Sequence, residues 1–266
     1  MGNDLTERLI SGLADPGSAT DPSSQSAMRK VAPTMAYGRH HGPPPCGARR
    51  AAVAVVWLRK DDGSWWLPLT LRPLTLRHHG GQICFPGGMI EGDETPVQAA
   101  LREFEEELGH RPVAPVFCGS MSPLYVYASN NLIFPVVFTA QMPSKNWSPD
   151  PVEVDRVIEL PLSTIDTIGG SGRDTRVRQI VRDQQVVGEY RFDSLAYRVG
   201  EDRIWGATAM LIQQLSRLVR KEDRQRVGAY SPSHWGNQRL IAGTKVTTNN
   251  VNTSGNKNGI MPRITV

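Results

Sequence analysis

Residues 88–110 read GMIEGDETPVQAALREFEEELGH, and the middle of this stretch is the clearest helix in the chain. Thr95 stands as N-cap, and Pro96 takes the first helical position, where its missing N–H costs nothing. Gln98 completes a capping box by reaching back to the N-cap amide. Val97, Ala100, Leu101, Phe104 and Leu108 recur at the i, i+3, i+4, i+7 spacing of a core-facing stripe, and Gly109 supplies the stop. The polar side carries Arg102, Glu103, Glu106 and Glu107, with Glu105 nearby. The i, i+3, i+4 spacing of Glu103, Glu106 and Glu107 brings their carboxylates together on one surface. Like charges so spaced cost about 0.2–0.5 kcal/mol per pair. They also crowd toward the helix C-terminus, where the macrodipole disfavours each anion by about 0.3–1 kcal/mol. A helix well designed everywhere except for acids at the wrong end breaks its local rules in one place, and such places are often functional.

Clustered carboxylates without His or Cys suit a hard cation with oxygen ligands, Mg²⁺ or Mn²⁺ rather than zinc. The usual work of such a cluster is to hold metal against phosphate oxygens and to activate water. Taken alone, the same face also reads as a solvated acidic surface. The flanking residues decide between the two. Gly88, five residues, Glu94, seven residues, then Arg102-Glu103-x-x-Glu106-Glu107-x-Gly109 resembles the Nudix box. His110 departs from it, standing where that family has an aliphatic residue.

The resemblance implies an α/β fold, an α/β/α sandwich with a mixed sheet and a catalytic loop-helix-loop. It implies hydrolysis of a nucleoside diphosphate linked to a further group. By the same resemblance Glu103, Glu106 and Glu107 would ligate the metal, Arg102 would orient the carboxylates, and Glu94 would brace the loop-helix-loop. The Gly87 carbonyl is a further metal contact, and Glu106 is the candidate general base. Glu153, outside the box, is the alternative base.

Upstream, PLTLRPLTLRHHGGQICFPGG resembles the additional signature of the coenzyme A diphosphatase branch. Leu69, Thr70, Arg72, Arg77, Gly81 and Phe85-Pro86-Gly87-Gly88 fall in register, while Pro68 replaces a leucine and Pro73 a small residue. The Glu-Val segment in DPVEVDRVIELPLS and Trp205 to Ala209 in RIWGATAMLI extend the likeness to residues 50–220 or so. Coenzyme A bears a 3′-phosphate beyond its diphosphate, so it needs cations besides the metal. Arg72 and Arg77 are the substrate-binding candidates. His78 and His79 read as turn residues, and Trp205 reads as core. The implied products are 3′,5′-ADP and (acyl-)4′-phosphopantetheine. The alternatives are a Nudix diphosphatase acting on ADP-ribose, a dinucleotide or an RNA 5′ end, and a non-catalytic nucleotide-binding module.

Around this centre, AAVAVVWL and WWLPLTLR read as strands, as do APVFCGSM, NNLIFPVVFTA and VDRVIELPL, with a closing helix from about Ala207 to Arg220. Residues 1–45 read as a flexible extension in which LTERLISGLA forms a short helix, residues 46–225 as the domain, and residues 226–266 as a polar tail. The net charge of +4 belongs to the C-terminal end: residues 221–266 hold seven Lys or Arg against two acids, so the remainder is slightly acidic. That pattern speaks against a nucleic-acid face on the domain. There is no apolar run long enough to span a membrane and no signal-peptide pattern. Cys46, Cys84 and Cys118 show no metal-type spacing, which leads to the expectation of a reduced cytoplasmic enzyme acting on a small molecule. Oligomeric state stays open, a homodimer included.

Overall fold

The chain is organised by β1 (Arg49–Arg59), whose apolar residues are buried on both sides. Ala52, Ala54, Val56 and Leu58 enter one core cluster while Val55 and Trp57 enter another, as the two-residue period of a strand requires. Burial on both sheet faces is why this segment is a continuous apolar run rather than an alternating one. The structure, a computed structural model, describes residues 4–14, 44–76, 79–126, 129–167, 172–182 and 185–219. These all lie within one compact unit. The expected polar tail, residues 226–266, and most of the expected N-terminal extension lie outside the described residues.

β2 (Trp65–Leu71) pairs antiparallel with β1, and β3 (Ile83–Cys84) and β8 (Arg156–Pro161) both pair antiparallel with β2. β4 (Gly87–Met89) pairs antiparallel with β1. β7 (Asn131–Gln141) runs parallel to β1 in unbroken register from Arg49↔Asn131 to Arg59↔Gln141. β5 (Val113–Ser120) and β6 (Leu124–Val126) pair antiparallel with β7. The result is a mixed sheet with β3, β2, β1, β7 and β5 in order across it.

Helix α2 (Pro96–Leu108) covers one face through Ala99, Ala100, Phe104 and Leu108. Its N-cap Thr95, its capping box with Gln98, its Pro96 start and its Gly109 left-handed stop (φ 74°) are those the sequence predicts. Two other helices cover the opposite face: α1 (Asp4–Ala14) and α4 (Gly206–Val219). Between β8 and the remaining strands lies the short α3 (Leu162–Thr167). The sandwich is thus α/β/α.

Two elements differ from the sequence reading. Leu5 and Leu9 of α1 are 2% and 0% exposed, so the helix expected within an extension is packed into the core. Thr6 donates a hydrogen bond to Thr139 on β7, and Arg8 donates to the carbonyl of Val219 at the end of α4. Second, residues 172–205 form a separate three-stranded sheet of β9 (Gly172–Arg182), β10 (Gln185–Val199) and β11 (Asp202–Trp205), which was not foreseen. Its charged residues mask the strand pattern, because only one face, with Leu195, Tyr197 and Ile204, enters the core.

Candidate active site

Helix α2 is capped at both ends, and it packs against β1 and β4. Arg102 is the organising side chain. Its Nε donates to Glu94 Oε1 at 2.8 Å and Nη2 to Glu94 Oε2 at 3.1 Å, a bidentate pair. Nη1 donates to Glu103 Oε1 and to Glu106 Oε2, each at 2.9 Å, and Nη2 also donates to the Met89 carbonyl at 3.0 Å. These bonds use all five guanidinium N–H donors. Glu94 additionally accepts the Glu91 backbone N–H at 3.1 Å, closing the loop before the helix. Arg102 and that N–H together hold the Glu94 carboxyl below its usual range.

The three helix carboxylates are in unequal surroundings. Glu106 is 57% exposed, Glu103 13% and Glu107 only 2%. Glu107 turns inward, accepting from Thr70 Oγ1 at 3.3 Å, with Arg72 Nη1 at 3.5 Å. Burial pushes its pKa up to about 8, and repulsion from Glu103 and Glu153 adds to the effect while Arg72 opposes it. Burial likewise raises Glu103, with Glu106 and Glu153 adding repulsion. Glu153, on the loop before β8, is therefore within electrostatic reach of both. That loop is fixed by the Asp155 N–H, which donates to the Leu71 carbonyl at 2.8 Å beside Arg72. Glu105, by contrast, faces away and pairs with Arg111.

The glycines preceding the helix are required by close approach. A Cβ on Gly87 would strike the Ala52 carbonyl and the backbone of Val53, because β4 lies directly against β1. A Cβ on Gly88 would strike the carboxylate of Glu103. His110, the departure from the box, donates from Nε2 to the Asn146 carbonyl at 2.8 Å and lies against the Trp147 ring, so it closes the helix end by packing. His79 sits in a turn at φ 59°. Arg77 and His78 lie outside the described residues.

Two contributors carried no assigned role in the sequence reading. Thr70 bonds Glu107 directly, and Thr208 on α4 hydrogen-bonds the side chain of Cys84, whose thiol is raised by burial to about 11. Both threonines stand inside segments that carry the resemblance, which was the available signal.

Among the described residues no three His, Cys, Asp or Glu side chains converge on one point as a ready cation cage. Arg102 draws Glu103 and Glu106 to itself, while Glu107 turns to Thr70 and Arg72. The chemistry of the donor set nonetheless fits a hard dication. It is made of oxygens only, and the burial and neighbouring carboxylates that raise Glu103 and Glu107 are what a positive ion would offset.

Residues 48–175 match the NUDIX domain profile. The chain is 32% identical over 174 residues to the uncharacterized Nudix hydrolase NudL of Photorhabdus laumondii, an alignment covering 64% of this chain and 85% of that protein. It is 31% identical over 170 residues to "Nudix hydrolase 15, mitochondrial" of Arabidopsis thaliana, covering 62% of this chain and 56% of that protein. The chain therefore spans little more than half the length of the Arabidopsis relative. A MutT/nudix family protein of known structure from Enterococcus faecalis is 14% identical, with TM-score 0.41 over 70% of this chain and 67% of that one. The chain belongs to the Nudix hydrolase family. No helix among its described residues is long and apolar enough to cross a membrane.

Proposed function

We propose that the protein is a metal-dependent hydrolase of nucleoside diphosphate derivatives whose substrate is coenzyme A or its thioesters, cleaved to 3′,5′-ADP and (acyl-)4′-phosphopantetheine. The observation that carries this reading is the meeting of Thr70 and Arg72, from the upstream segment, with Glu107 of the helix. The segment that resembles the coenzyme A signature and the box that resembles the Nudix signature thus contribute to one site.

In this reading Glu103, Glu106, Glu107 and the Gly87 carbonyl hold Mg²⁺ or Mn²⁺. When bound, the cation offsets the diphosphate charge and lowers the pKa of water. Arg102 holds Glu103 and Glu106 in place and is itself held by Glu94. Glu106, the most exposed of the three, accepts the proton of the attacking water, with Glu153 as the alternative base. Water adds to one phosphorus as the bridging P–O bond breaks on the opposite side. Arg72, held loosely by Glu107 and partly exposed, turns its remaining donors to phosphate oxygens, and Arg77 supplies a second cation.

The test is hydrolysis of coenzyme A, ADP-ribose, NADH and 5′-triphosphate RNA side by side, with Mg²⁺ and with EDTA. Metal-dependent release of 3′,5′-ADP, with coenzyme A clearly the best substrate, supports the proposal. A different best substrate overturns the coenzyme A assignment and leaves the diphosphatase. Turnover of none of them favours a nucleotide-binding module. Glu103→Gln and Glu107→Gln then separate the last two readings: an enzyme loses turnover by at least about 100-fold and keeps nucleotide binding.

A further inference from the structure

The small sheet carries a charge cluster that the reaction above does not use. Asp174 on β9 is gripped by Arg203 on β11, with Nε–Oδ2 at 2.6 Å and Nη2 donating to Oδ1 at 2.7 Å. Arg176, two residues along β9, approaches the same carboxylate only to 3.8 Å. Its guanidinium instead lies over the ring of Trp205, 4.4 Å from the centroid, and its buried Nε has no hydrogen-bond partner among the described residues. Among the described residues of this cluster two guanidiniums share one carboxylate, which leaves a net positive charge. Burial and the neighbouring Arg203 both disfavour the charge on Arg176, and Asp174 only partly offsets them. With 29% of its side chain exposed, this under-bonded guanidinium remains open to an anion from solvent. The aromatic bed fixes its plane, which suits two-pronged contact with phosphate oxygens.

The cluster is connected to the active site through a chain of contacts. Trp205 is the last residue of β11, and β11 packs against β3. Thr208, about 5 Å of helix rise further on, bonds the Cys84 side chain on β3. Thr70 Oγ1 lies 3.5 Å from the Cys84 carbonyl and 3.3 Å from Glu107. The pair Arg156–Asp202 fastens the other end of β11 to β8.

We propose that Arg176, bedded on Trp205, is the receptor for a second phosphate monoester on the substrate, separate from the diphosphate that is cleaved. This rests on the nucleotide diphosphatase reading and gives it a specificity determinant, the 3′-phosphate in the case of coenzyme A.

Two measurements test it. The first compares kcat and KM on coenzyme A and on 3′-dephospho-coenzyme A for the wild type, Arg176→Lys and Arg176→Gln. Arg176→Gln is expected to lower kcat/KM at least tenfold more for coenzyme A than for the dephospho form, through KM. Arg176→Lys, which keeps charge but loses the planar fork, is expected to fall between. Equal losses on both substrates make Arg176 structural and overturn the proposal. The second measures equilibrium binding of adenosine 3′,5′-bisphosphate and of AMP, and needs no turnover. Tighter binding of the bisphosphate that Arg176→Gln abolishes supports the receptor even if coenzyme A proves not to be the substrate. Equal affinity for the two nucleotides overturns it.

Discussion

Arg72 and Glu107 face each other at 3.5 Å, the outer limit of a hydrogen bond, although Glu107 is only 2% exposed. A carboxylate so deeply buried and so loosely matched resists ionising, and its pKa is pushed up to about 8. Between its ordinary value of 4.5 and about 8 the folded chain keeps a proton that the unfolded chain has lost. The resulting stability is fully present below pH 4.5 and is lost as pH rises through about 8. Denaturation of the EDTA-treated protein from pH 5 to pH 9 should therefore show a decline on the order of a few kcal/mol. Glu107→Gln should flatten it, and Mg²⁺ should stabilise the wild type more at the alkaline end. Parallel curves for wild type and Glu107→Gln would sink this account.

Gly87 and Gly88 are neighbours with different obligations. An added methyl at Gly87 meets backbone of β1, which cannot yield, so Gly87→Ala should lower stability by about 1–3 kcal/mol, as overpacking does. At Gly88 the methyl meets the end of the Glu103 side chain, which can swing aside. Gly88→Ala should then nearly preserve the melting temperature while reducing hydrolysis more than tenfold. The paired thermal melts and rates check both.

Lysine cannot reproduce the five bonds of Arg102, for want of a planar fork. Charge-assisted hydrogen bonds contribute about 1.5–3 kcal/mol each when a partner is removed. Arg102→Lys should lower the melting temperature by several degrees and release Glu103 and Glu106, so that the metal concentration for half-maximal activity rises together with a fall in kcat. An unchanged metal requirement would argue that Arg102 does not position these carboxylates.

The burial of Leu9 makes α1 part of the folded core. Leu9→Ala should cost about 2–5 kcal/mol, the range for an emptied buried leucine site. Arg8→Ala, which removes the bond to the Val219 carbonyl, should cost less. If neither variant shifts the chemical-denaturation midpoint, α1 contributes nothing to stability.

What the sequence by itself determined is local. The caps, the proline start, the glycine stop and the apolar stripe of α2 depend on residues within a turn or two of one another, so they could be read in order. The same holds for the spacing of Glu94, Arg102, Glu103, Glu106 and Glu107, and for the continuous apolar run of β1. Tertiary structure decided the rest. Helical spacing assigned Glu103, Glu106 and Glu107 to one polar surface. Only the packing of α2 onto β1 and β4 turned Glu107 inward to Thr70 and Arg72, more than thirty residues upstream, and left Glu106 in solvent. The polar alternation of residues 172–205 concealed a sheet whose single buried face is defined by what it packs on. Helix α1 is legible in the sequence as a short helix, but its place in the core depends on Thr139 and Val219, far along the chain. Burial and charge compensation are properties of neighbours in space, and a sequence lists neighbours only along the chain.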